Sequence, residues 1–108
     1  MTKRPASQAA EYRTAVFARW GHVCWLCGHP GARQVDHVES VTERPDLEWS
    51  VSNGRPAHGA PGNRCRVCGQ NCNQLRGGYS PERARRLIAE RSGLPEVAAP
   101  RPDNGREW

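Results

Sequence analysis

The chain has 108 residues, a net charge of +5, a single Phe and a single Met, and its mean hydropathy is −0.84. One small domain is the most that such a chain can form, and its apolar content is too thin to offset the ordering entropy comfortably, so a disulfide or metal staple is expected. No stretch is long and apolar enough to span a membrane, and the N-terminal MTKRPASQAAEYRTAVF has charges and a proline where a secretory core would run.

In chain order, residues 1–6 read as a flexible basic arm and 94–108, with Pro100 and Pro102, as a mostly disordered tail; the ordered domain between them spans 7–93. Ala9, Tyr12, Val16, Phe17 and Trp20 recur at helical spacing and Gly21 follows, which predicts a helix over 7–20. A core region over 24–78 comes next. Within it, ARQVDHVESV supplies Val35, Val38 and Val41 for a strand, and the alternation of Leu47, Trp49 and Val51 predicts a second short strand near 47–51. Ser80 and Pro81 then open a helix over 80–92, with Gly93 and Pro95 to stop it.

Two segments share one pattern, Cys24-Trp-Leu-Cys27-Gly28 and Cys65-Arg-Val-Cys68-Gly69. Two residues between cysteines let a tight turn aim both sulfurs at one tetrahedral ion, and the glycine relieves the turn. Paired knuckles in a chain without a secretory core favour reduced thiols and an intracellular, cytoplasmic setting, with structural Zn²⁺ rather than disulfides. Cys24, Cys27, Cys65 and Cys68 are the first choice of ligands. Cys72 and His58 compete as donors, and His29 is also able to ligate, so the composition of the shell stays open at this level.

A CxxC, then Asp36-His37, then Asn53 leading into Arg-Pro-Ala-His58, then Cys72-Asn73 followed by Arg76-Gly77, forms an ordered set that resembles the HNH nucleases of the ββα-metal class. The likeness is to small zinc-containing HNH endonucleases of bacteriophages and their hosts, and it covers residues 24–77. It implies an α+β fold: a small zinc-stabilised ββα-metal domain flanked by N- and C-terminal helices. It also implies a hydrolase that cleaves DNA phosphodiester bonds with low sequence specificity. Carried over residue by residue, Asp36 and Asn73 hold the catalytic ion, His37 is the general base, and Asn53 positions that base or braces the loop between the strands. His58 is a zinc ligand, a neighbour of the catalytic site or a solvated loop histidine.

The chemistry agrees with these roles. Phosphodiester hydrolysis needs a cation where charge builds on the phosphate, and a base that ionises near neutrality, as histidine does. An oxygen ligand such as Asp36 suits Mg²⁺ or Mn²⁺, and a mixed shell admits Ni²⁺ or Zn²⁺. Adjacent strand residues face opposite ways, which favours a ligand and a base over two ligands. Arg76, Arg83, Arg85 and Arg86 are expected to follow a DNA backbone. In phage relatives the family further implies partners in the genome-packaging machinery, such as terminase. Three departures stand out: Gly54 where relatives carry Leu, Asn73 in place of His, and thirteen residues between His58 and Cys72, a much longer segment than the family's own. A rival reading from another class is a non-catalytic zinc module that binds nucleic acid or protein.

Overall fold

The computed structural model describes residues 5–59 and 62–97. Helix α1 runs Pro5–Trp20, strand β1 Gln34–His37, strand β2 Gly54–Ala57, the short helix α2 Cys72–Arg76 and helix α3 Pro81–Ser92. The chain is thus a small α+β unit with one two-stranded sheet and three helices among the described residues. Helix α1 begins two residues earlier than the spacing of its apolar residues predicts. Pro5 occupies the first helical position, where a missing N–H leaves no bond unmade, so residues 5 and 6 are helical and not part of an arm. The rest of that proposed arm, 1–4, lies outside the described residues, as does most of the C-terminal tail, 98–108.

The two strands pair antiparallel, with Val35 opposite Pro56, Asp36 opposite Arg55 and His37 opposite Gly54. The second strand is therefore at 54–57 and not at 47–51. Around Leu47, Trp49 and Val51 the backbone bonds locally: Leu47 N donates to Arg44 O, Glu48 N to Pro45 O and Asn53 N to Ser50 O, closing 3₁₀ turns over Pro45–Leu47 and Val51–Asn53. The alternation there reflects packing rather than a pleat, since Trp49 meets the Tyr12 ring edge-on at 5.5 Å.

Gly54 explains itself by close approach. A Cβ at that position would lie 2.5 Å from Tyr12 Oη and 2.7 Å from Val16 Cγ2, so α1 lies against the backbone of β2. A leucine here would drive the helix off the sheet.

Of the eleven residues of the buried core cluster, five are cysteines; the rest are Trp25, Leu26, Ala32, Ala57, Ala84 and Ile88. So few large apolar side chains leave the thiol cluster as the centre about which the chain packs. Helix α3 is capped as its sequence predicts: Ser80 Oγ accepts from Arg83 N, and Gly93 closes the helix at φ 74°. Beyond it, the start of the expected tail is docked. Leu94 packs on the core, and Val97 lies against Gly28 so closely that a Cβ there would meet Val97 Cγ2 at 2.7 Å.

Candidate functional site

The two knuckles have the same backbone. In the first, Gly28 N donates to Cys24 O and Cys24 N to His29 O; in the second, Gly69 N donates to Cys65 O and Cys65 N to Gln70 O. Gly28 and Gly69 take the left-handed conformation that this turn needs, at φ 79° and 76°. Asn63 ties the long inserted segment to the first knuckle: its Nδ2 donates to Gly31 O, and its Oδ1 accepts from Arg33 N and Gly59 N.

The donors gather into two groups: Cys24, Cys27, His58 and Cys72 in one, and Cys27, His29, Cys65 and Cys68 in the other, with the ligand atoms of each group within 4.8 Å of one another. The expected quartet of Cys24, Cys27, Cys65 and Cys68 is not one of them. Spacing defines each local turn but not how the turns dock, and docking puts Cys24 with His58 and Cys72. All five cysteines are buried and unpaired by disulfides.

His58 is 1% exposed, and its Nε2 lies 2.9 Å from Pro30 O. A carbonyl only accepts, so Nε2 carries the proton and Nδ1 presents its lone pair to Cys27 Sγ at 3.5 Å and Cys72 Sγ at 4.0 Å. This is the arrangement of a metal-ligating histidine held by a carbonyl behind it. The Cys24 thiol is pulled well below its ordinary value by hydrogen bonds from Cys27 and Cys72, and Cys72 is pushed up chiefly by Cys24. Crowded thiols share protons in this way until a cation lets them all ionise. The buried Cys/His cluster has the donor types and spacing to hold a structural metal such as zinc.

A separate cleft of about 310 Å³ is lined by Asp36, His37, Asn73 and Arg76 together with Ser40 and Thr42. Sequence-expected site residues from β1 and α2 thus meet at one cleft. His37 stacks on the Tyr12 ring, with centroids 5.8 Å apart and planes 13° from parallel, and its Nε2 lies 3.1 Å from Glu48 O. Again the carbonyl fixes the tautomer: Nε2 donates and Nδ1 is left as the acceptor.

Asn53 is buried and acts on the loop rather than on the histidine ring. Its Oδ1 accepts from Glu39 N, and its Nδ2 donates to Glu39 O and Leu47 O. By clamping residues 39 and 47 it holds the neighbouring Glu48 carbonyl that His37 uses.

Asp36 is also buried. Its Oδ2 accepts from Trp25 Nε1 at 3.0 Å and from Arg76 Nη1 at 2.7 Å. Burial pushes its carboxyl above the usual range, and Arg76 partly offsets this.

Two of the arginines expected on DNA are elsewhere. Arg76 is buried and donates to Asp36 Oδ2, His37 O, Val38 O and Tyr79 O. Those four bonds leave one of a guanidinium's five N–H groups. Arg85 is buried, bonded to Trp25 O and packed on the Trp25 ring at 5.1 Å. Arg83 and Arg86 are exposed on α3. Tyr12, read from the sequence only as part of a core stripe, is the residue whose place beside His37 was missed; a lone aromatic at helical spacing carries no sign of it.

No family model, no curated protein and no solved structure matches the chain. Among the described residues no helix is long and apolar enough to cross a membrane.

Proposed function

We propose that this chain is a metal-dependent endonuclease of the HNH type that hydrolyses DNA phosphodiester bonds, with zinc at the Cys24, Cys27, His58 and Cys72 donors as a structural element. The observation that carries the reading is His37 at the Asp36–Asn73 cleft, with Nε2 tied to Glu48 O and Nδ1 left to take a proton. In the reaction, His37 Nδ1 accepts a proton from water, the water oxygen bonds to phosphorus, and the bond from phosphorus to the leaving oxygen breaks. A divalent ion, when bound, neutralises charge on the phosphate and the leaving oxygen. Asp36 and Asn73 are the residues that would hold it. Trp25 and Arg76 both donate to Asp36 Oδ2 and so set the orientation of the carboxylate that would hold the ion. The test is nicking of supercoiled plasmid by the zinc-loaded protein with Mg²⁺ or Mn²⁺, which His37→Ala should lower by about 10²–10⁴-fold while zinc content is retained.

A second reading draws on a different face. A cleft of about 460 Å³ beside the knuckles is lined by Arg33, Arg64 and Arg66 and by no carboxylate, a surface suited to phosphate oxygens. A non-catalytic zinc module would bind nucleic acid there. Binding that falls with Arg64→Ala and Arg66→Ala, in a protein that never cleaves, would favour it over the nuclease.

A further inference from the structure

We infer that the centre holds two metal ions, bridged by the Cys27 thiolate, and that the inserted segment between His58 and Cys72 contributes ligands to the second. Without Cys27, one group offers Cys24, His58 and Cys72, and the other offers His29, Cys65 and Cys68. Each is one donor short of the closed tetrahedron of a structural site. Cys27 belongs to both. Seven donors, one used twice, fill the eight positions of two tetrahedra, and a thiolate sulfur has lone pairs enough for two ions.

The distances agree. With Zn–S of about 2.3 Å and Zn–N of about 2.0–2.1 Å, a tetrahedron places two sulfurs about 3.8 Å apart and a sulfur and a nitrogen about 3.5 Å apart. Around the first group, Cys27 Sγ and Cys72 Sγ lie 3.5 and 4.0 Å from His58 Nδ1. Around the second, Cys65 Sγ lies 3.5 Å from His29 Nδ1 and 3.9 Å from Cys27 Sγ. Cys27 therefore sits at an edge length of both polyhedra at once.

The second knuckle is also prepared for a thiolate. Val67 N and Cys68 N both point at Cys65 Sγ at 3.3 Å, and such N–H donors favour negative charge on sulfur. One ion in the first group would leave three converging donors and a buried prepared sulfur with nothing to coordinate. Two divalent ions against five thiolates leave one net negative charge, a balance that a buried centre tolerates far better than a single ion with the same five thiolates. A borderline-soft dication, zinc above all, is the class that a sulfur-rich set with two imidazoles selects.

The test reads metal and not cleavage, so it is independent of the nuclease reading. The full-length protein is loaded with ¹¹³Cd in place of zinc and its cadmium spectrum recorded. Two resonances in the thiolate-rich range, each split by the other through the shared sulfur, are expected. A single such resonance, or two without mutual splitting, would overturn the bridge. Zinc-loaded protein should carry two thiolate-bound ions per chain and His29→Ala combined with Cys68→Ser only one; two retained in that variant would also overturn the assignment. Should the double variant not fold, the spectrum of the unaltered chain decides alone.

Discussion

Arg76 Nη1 and Asp36 Oδ2 lie 2.7 Å apart with both side chains about nine-tenths buried, so a helix at the C-terminal side of the cleft is locked to the strand that carries His37. The same guanidinium caps the carbonyls of His37 and Val38. Removing it strands a buried carboxylate and takes the donor from two partly buried carbonyls. Arg76→Ala should therefore destabilise the zinc-loaded protein by about 3–5 kcal/mol in urea unfolding. Arg76→Lys should recover only part of that, because one ammonium cannot reproduce the planar fork. A loss below about 1 kcal/mol for Arg76→Ala would mean the pair is solvated after all.

Asp36 also gives stability a pH dependence. Burial holds its native carboxyl above the ordinary value, Arg76 notwithstanding. The unfolded chain then releases this proton first, near pH 4, and as pH climbs from there through the raised native value the unfolded state binds fewer protons than the native one. Stability from this group is full below that window and declines across it. Without added divalent ion, the stability of the parent minus that of Asp36→Asn should fall as pH rises above about 4 and then level off. Taking the difference cancels the acid release of zinc common to both proteins. A difference that rises with pH would show Arg76 prevailing over burial.

Gly54 makes the packing of α1 testable. Its Cβ position is filled by Tyr12 Oη and Val16 Cγ2. Gly54→Ala should destabilise by about 1–3 kcal/mol through overpacking. Because Tyr12 is also the ring on which His37 stacks, the substitution should lower plasmid nicking beyond what the unfolded fraction explains. Unaltered stability in thermal unfolding would contradict the close approach.

Asn53 offers a split between folding and chemistry. Asn53→Ala leaves the Glu39 N–H and C=O without their partner, a cost of about 1–3 kcal/mol. It also frees the Glu48 carbonyl to move from His37 Nε2. The folded variant should bind DNA as before and show a lower kcat, the pattern of a positioning residue. An unchanged kcat would confine Asn53 to the loop.

Much of this fold was legible locally. Ser80, Pro81 and Gly93 mark α3, Gly21 ends α1, and the two CxxCG stretches predict their turns, because in each case the signal and the structure lie within a few residues. What escaped was long-range choice. Nothing near Cys65 says that its imidazole neighbour is His29, 36 residues away. Nothing near Arg76 says that its partner is Asp36, 40 residues back, rather than a phosphate. An arginine on a short helix looks the same from either side until the helix is docked. The alternation at 47–51 misled for a related reason: Trp49 packs on a helix side chain, and such contacts mimic a strand's period.

The most direct measurement of the central claim is plasmid nicking by the zinc-loaded, full-length protein titrated with Mg²⁺ and Mn²⁺, run beside His37→Ala. Relaxed circles are expected only when the ion is added, with a loss of about 10²–10⁴-fold in the variant and thiolate-bound zinc intact. No cleavage with any divalent ion, or cleavage indifferent to His37→Ala, would contradict it.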